Sequence, residues 1–158
     1  MAIKNKSENC IDGVIFLPLK IISDERGAVL HMLRVNSPLY EQFGEIYFSE
    51  IKPKTIKAWK LHTKMNQHIT VPYGAIKLVI YDSRDDSLSK GKVCSYLLSR
   101  KNNFYLIKIP PKVWYGFQCV GNKTSLVANC TDLPHDPDEA IKIEPNSEKI
   151  PYKWEVNE

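Results

Sequence analysis

The chain has 158 residues, enough for one domain that buries about two thirds of its unfolded surface. Hydrophobic residues make up 43% and charged residues 25%, which excludes a disordered or fibrous chain. Lys and Arg number 22 against 18 Asp and Glu; the excess is too small and dispersed for a nucleic-acid partner but suits a small anion.

The longest apolar run, 13–22, is broken by Pro18 and Lys20. A bilayer needs ~20 apolar residues, so no membrane span is expected. Residues 1–10 are polar and carry no signal-peptide core. Cys10, Cys94, Cys119 and Cys130 match neither a zinc site nor a CxxC redox pair. They read as free thiols, which places the protein in the cytoplasm.

Strand-like alternation recurs along the chain. It begins at Val29, His31, Leu33 and Val35, with Leu30 and Met32 on the other side. Ser37-Pro38 then opens a helix of at most two turns before Phe43. Ile46 and Phe48 alternate with Tyr47 and Ser49, and Ile76, Leu78 and Ile80 with Lys77, Val79 and Tyr81. Further strands are predicted over 93–98, 104–109 and 125–130, and a short helix from Pro137 through Ile141. Turn signals separate the runs at Tyr73-Gly74, Lys90-Gly91, Asn102-Asn103 and Gly121-Asn122. Many short strands with regular turns predict an all-β sandwich or small barrel with few short helices. No linker divides the chain, so a single domain is expected over 1–158. Ile150, Tyr152 and Trp154 read as anchors that hold the charged C-terminal stretch on the body.

Five stretches, taken in order, resemble the dTDP-4-dehydrorhamnose 3,5-epimerase family of cupin-like jelly rolls. They are Asp24-Glu25-Arg26-Gly27; Phe43 to Lys60 (FGEIYFSEIKPKTIKAWK); Gly74 to Arg84 with Ser87 and Gly91; Ile109 to Phe117; and Pro134 to Pro137 through Trp154. The resemblance implies a jelly roll, a homodimer and a substrate that is a nucleoside-diphosphate-linked 4-keto-6-deoxy sugar. It implies no metal and no cofactor. The 4-keto group acidifies the protons on its neighbouring carbons. A site for such chemistry needs a base, an acid, a donor for the enolate oxygen and cations for the diphosphate. The N-terminal segment Val14 to Leu17 is apolar enough to lie across a partner's sheet.

By this resemblance Arg26 faces the nucleotide end of the ligand and Lys57 contacts phosphate or sugar, with Glu45 and Trp59 in the same binding stretch. Lys60 stands where the family carries its histidine base. A lysine near its ordinary pKa cannot accept a proton at pH 7, so Lys60 is either a base lowered by burial or a cation for the enolate. In a strand His62 shares a face with Lys60 and can supply the missing base, or it merely lines the cavity. Tyr115 replaces the family's usual histidine before Gly116-Phe117 and can donate a hydrogen bond to a keto oxygen. His135, beside Asp136, stands where relatives carry a tyrosine acid and is the expected principal proton carrier. Asn146 is the nearest match to the aspartate that orients the family's histidine. His68 is a weaker candidate. Trp59, Trp114 and Tyr105 are either core aromatics or stacking faces.

The leading expectation is a sugar-nucleotide epimerase or isomerase in surface-polysaccharide synthesis, including lipopolysaccharide. A non-catalytic sugar-nucleotide-binding protein of the same fold is the alternative. A metal-dependent cupin enzyme is a third reading, weakened because Lys60-x-His62 replaces the usual His-x-His pair and no acidic ligand is suitably spaced.

Overall fold

The computed structural model describes residues 10–155. Its strands are β1 (Ile15–Pro18), β2 (Ile21–Asp24), β3 (Gly27–Leu30), β4 (Glu45–Ile51), β5 (Ile56–His62), β6 (Gln67–Tyr73), β7 (Ala75–Asp82), β8 (Val93–Ser99), β9 (Tyr105–Ile109), β10 (Val113–Cys119), β11 (Ser125–Thr131) and β12 (Ala140–Lys142). One antiparallel sheet runs β1-β9-β6-β11-β4 and the other β12-β5-β10-β7-β8; β2 and β3 form a separate hairpin. The non-sequential order within both sheets is that of a cupin-like jelly roll, as expected. Among the described residues the helical structure is one 3-10 turn, Pro137–Glu139, and no helix is long and apolar enough to cross a membrane.

The sheets pack through their inner faces. Ile69 and Ile107 from one sheet join Ile76, Leu78 and Ile80 from the other, each no more than 1% exposed. Burial of each such side chain contributes roughly 1.5–3 kcal/mol. A second, smaller core lies on the outer face of the second sheet. There Ile150, Tyr152 and Trp154 pack against Trp59 and Val79, so the C-terminal segment is anchored as the sequence suggests.

Several expectations change. The alternation over 29–35 ends as a strand at Leu30, and Val35 is 78% exposed with no sheet to bury it. The helix expected after Ser37-Pro38 is a pair of turns. The Ser37 and Tyr40 amides bond to Arg34 and Ser37 carbonyls, and the Leu39 carbonyl is drawn to the buried His68 ring. The helix expected after Pro137 is a single 3-10 turn that passes directly into β12.

The N-terminal segment does not lie free for a partner. Residues 15–18 pair with β9 of the same chain, and Phe16 packs on Tyr96 and Tyr105 inside its own core. The cysteines are not all free either. Cys10 and Cys94 are disulfide-bonded with Cα atoms 6.3 Å apart, because burial of Ile11 and Val14 brings residue 10 against β8. Cys119 and Cys130 are free and buried. The cytoplasmic placement drawn from free thiols loses that support.

Between β5 and β10 the ladder slips. Tyr115 faces Lys60 while Phe117 faces Lys57, so β5 carries an extra residue at Ala58-Trp59. Gly116 sits at the slip, where a Cβ would collide with Ala58 and meet the Trp154 ring at 3.1 Å. Gly116→Ala should therefore lower stability by about 1–3 kcal/mol, the usual cost of overpacking. An unchanged urea midpoint for that variant would show that the strands can part there without loss.

Candidate active site

Lys60 and Tyr47 border two adjoining cavities inside the jelly roll. The larger, about 500 Å³, is lined among others by Ser49, Lys57, Lys142, Tyr115 and Asn129. The smaller, about 330 Å³, is lined by Glu45, His62, His135, Asp136 and Glu139, with Met65 and Ala140. Strand register makes this arrangement. β5 presents Lys60 and His62 on one face; Tyr115 of β10 stands opposite Lys60 on one side and Lys142 of β12 on the other.

A chain of three side chains lies at the junction. His62 Nδ1 is 2.6 Å from Glu139 Oε2, and His62 Nε2 is 3.2 Å from the Tyr115 hydroxyl. All three residues are buried. The Glu139 carboxylate also accepts the backbone N–H groups of Lys64 and Met65 at 2.7 and 2.8 Å. Burial pulls this carboxyl up, but the His62 ring and the two amides more than offset it, so its pKa lies below the ordinary glutamate value. Burial lowers His62, with the Lys60 and His135 charges adding to it against the pull of Glu139. The pair is thus a neutral imidazole beside an ionised carboxylate. Nδ1–H then donates to Glu139 and Nε2 accepts from the Tyr115 O–H. Burial raises Tyr115 well above the usual phenol range, so it stays protonated. The arrangement is that of an oriented base with its acid in hydrogen-bond reach.

Lys60 is half-buried. Burial and the neighbouring Lys142 lower its pKa, against opposite pulls from Glu139 and Glu45. Lys57 is exposed at the rim and donates to Ser49 Oγ at 3.0 Å. Tyr47, Asn129 and Gln67 form a polar network in the wall; the Asn129 amide donates to the Tyr47 hydroxyl at 2.8 Å and to the Gln67 carbonyl. Among the described residues, no group of three or more His, Cys, Asp or Glu is placed to hold a metal ion.

The structure therefore brings together Lys60, His62, Tyr115, Glu45 and His135, with Lys57 at the rim. His135 is exposed, and its neighbour Asp136 caps the 3-10 turn by accepting the Asp138 N–H, so no carboxylate orients this histidine. Trp59 touches the cavity wall but its indole is 1% exposed, packed by Tyr152 and Trp154, and donates to the Pro145 carbonyl. Asn146 lines a different groove on the C-terminal segment and approaches no histidine of the site. Arg26 is at the tip of the β2–β3 hairpin, held by Asp24 with its side chain 82% exposed, and lines neither cavity. His68 is buried between the Leu39 and Cys130 carbonyls, away from both cavities. Glu139 and Lys142 are functional candidates that the sequence reading missed. Their signal was the short interval between Pro137 and the Ala140–Lys142 strand, which pairs with the strand carrying Lys60 and His62.

These features agree with the similarity to known proteins. Spore coat polysaccharide biosynthesis protein SpsL of Bacillus subtilis (strain 168) is 32% identical over 146 residues, 92% of this chain and 93% of its own. The probable low-salt glycan biosynthesis epimerase Agl13 of Haloferax volcanii is 33% identical over 136 residues, covering 85% and 83%. A solved dTDP sugar isomerase from Desulfovibrio desulfuricans G20 is 46% identical, with a TM-score of 0.90 over 92% of each chain. A solved dTDP-4-dehydrorhamnose 3,5-epimerase from Bacillus anthracis str. Ames, with TDP and PPi bound, shares the fold at 20% identity, with a TM-score of 0.83 over 100% of this chain and 91% of that one. The sequence profile of one family matches residues 8–158, and by it the chain belongs to the dTDP-4-dehydrorhamnose 3,5-epimerase family.

Proposed function

We propose that the protein epimerises a nucleoside-diphosphate-linked 4-keto-6-deoxy sugar at a carbon beside the ketone, supplying a surface polysaccharide or glycan. The observation that carries this reading is the Glu139–His62–Tyr115 chain at the junction of two cavities that Lys60 also borders. The sugar carbonyl lies against Lys60 at the junction of the two cavities. Lys57 and Lys142 at the rim meet the diphosphate. As the carbon-bound proton moves to the Tyr115 oxygen, the phenol's own proton passes to His62 Nε2. Glu139 stabilises the imidazolium so formed. Glu45 faces the sugar from the smaller cavity, and His135 at its mouth exchanges the proton with solvent. His62 thus takes the principal role expected of His135, because His62 has the orienting carboxylate.

Proton NMR in deuterated water with dTDP-, CDP- and GDP-linked 4-keto-6-deoxy sugars tests the reading. Deuterium should enter at one carbon, and His62→Asn or Tyr115→Phe should slow uptake by about 10²–10⁴-fold. Tight binding with no uptake would overturn the enzyme and leave a sugar-nucleotide-binding protein. Full uptake in Tyr115→Phe would remove the phenol from the proton path.

The pH dependence follows from His62. Its lowered pKa means that it loses base function only below the ordinary histidine value of about 6.5. Activity should therefore persist on acidification through that value and fall beneath it. Glu139 pulls the His62 pKa up, so Glu139→Gln should move this acid limb to still lower pH. It should also cut kcat by about 10²–10⁴-fold, because the tautomer is no longer held. A limb that stays in place would show that Glu139 serves the fold alone.

We also propose a homodimer, with a second copy covering the outer face of β4. Ile46 and Phe48 are 51% and 61% exposed on that edge strand, and Ile22 and Val29 of the hairpin are 57% and 59% exposed. Arg26 of one copy then faces the cavity of the other. Light scattering should give twice the chain mass, and a monomer at micromolar concentration would overturn the assembly. Arg26→Ala should weaken sugar-nucleotide binding by roughly 1.5–3 kcal/mol, and unchanged affinity would remove Arg26 from the site.

A further inference from the structure

Lys60 has the surroundings of a lysine that acts as a nucleophile rather than as a fixed charge. Among the described residues its ammonium makes no hydrogen bond or ion pair, although the His62, Tyr115, Glu139, Tyr47 and Asn129 side chains at the cavity junction are each bonded to a neighbour. It is half-buried, and Lys142 stands beside it in register on β12, so a second cation disfavours its charged form. Desolvation together with an adjacent cation is the arrangement that activates amines toward carbonyl carbon. Tyr115, its cross-strand neighbour on β10, ends a proton chain that runs to His62 and Glu139. Carbonyl condensation needs such a chain, since it must lose a proton from nitrogen and deliver one to oxygen.

We infer that Lys60 condenses with the ketone of the bound sugar, so that the neighbouring carbon is deprotonated from an iminium ion rather than from the free ketone. The inference rests on the keto-sugar reading above. The Lys60 ammonium first gives a proton to His62, and the free amine attacks the carbonyl carbon, forming a C–N bond. The proton held by His62 returns through Tyr115 to the carbonyl oxygen. A second proton from nitrogen goes the same way, and the C–O bond breaks with loss of water. The ammonium and the ketone have then become an iminium ion and one water, with charge conserved. Loss of the adjacent carbon-bound proton to the Tyr115–His62 chain gives a neutral enamine, so no negative charge builds up on oxygen in the buried site. Solvent water delivers a proton to the opposite face of that carbon, the hydroxide so formed takes the proton held by His62, and the iminium is restored. Water then adds, the C–N bond breaks, and the inverted ketone leaves with the lysine regenerated. No oxidant or reductant is consumed.

The experiment is reductive trapping of the intact protein. Wild type is incubated with a 4-keto-6-deoxy sugar linked to dTDP, CDP or GDP, with cyanoborohydride added at neutral pH, and its mass is measured. Deuterium uptake into the sugar is followed in a parallel sample without the reductant. The expected result is a mass gain equal to the sugar nucleotide less one oxygen atom, mapped by peptide analysis to Lys60 and absent in Lys60→Arg. Lys60→Arg keeps a cation in the site, so loss of deuterium uptake in that variant as well separates a nucleophile from a charge. Uptake without any adduct would overturn the iminium and leave the epimerase reading standing with Lys60 as an ammonium. An adduct on Lys57 or Lys142 would overturn the assignment to Lys60. Neither adduct nor uptake with any of the three sugars would overturn both readings together.

Discussion

The site hangs on one buried carboxylate. Glu139 is 4% exposed, and its two oxygens take three donors: the His62 ring and the Lys64 and Met65 amides. Its backbone carbonyl accepts the N–H and the hydroxyl of Thr63 as well. An ionised group out of water persists only with such a set of donors. The same bonds fasten the 3-10 turn to the loop after β5. β12 follows at once and pairs with β5, which sets Lys142 opposite Lys60. Base orientation, rim charge and the closing of the second sheet thus share one cause.

Much of the fold was legible because half-buried strands alternate. β4 alternates along its length and β7, β8 and β9 over part of theirs, whereas β11, also predicted as a strand, is buried on nearly every residue. β6 and β10 are buried on nearly every residue, so they show no alternation to read. The site was legible only where residues are close in sequence. Lys60 and Tyr115 were found through the family resemblance, and His62 through the strand face it shares with Lys60. Glu139 lies 77 residues from His62, in a stretch whose proline and charge suggest a solvated tail. The Cys10–Cys94 pair is separated by 84 residues, and nothing local in the chain joins them. Ser37-Pro38 has the residues of a helix start, but a long-range bond from the Leu39 carbonyl to His68 takes the backbone elsewhere.

Charge in the two cavities is uneven although the chain's net charge is only +4. Lys57 and Lys142 stand with Glu144 at the larger cavity, while Glu45, Asp136 and Glu139 line the smaller, with Lys60 shared by both. A ligand with an anionic and a neutral end has one favourable orientation in such a field. Such a field favours the anionic end at the lysines and the neutral end at the junction where Lys60 and the Tyr115 phenol stand. Formal charge for the whole chain is a poor guide to this, because the two clusters cancel in the sum.

Position 60 is where the family resemblance expects a histidine base, and this chain has its oriented histidine at position 62. Two residues along a strand keep the same face but move the side chain by about 6.7 Å. A base so displaced needs a carboxylate from a new place, and the 3-10 turn provides one in Glu139 instead of the C-terminal segment that carries Asn146. It also needs a group that spans the distance back to position 60. Tyr115, directly opposite Lys60 and bonded to His62, is the side chain that does so. Replacement of a histidine by a tyrosine at position 115 and by a lysine at position 60 are then two halves of one rearrangement. Lys60 stands in the place of the expected histidine, and Tyr115 links that place to the His62 ring.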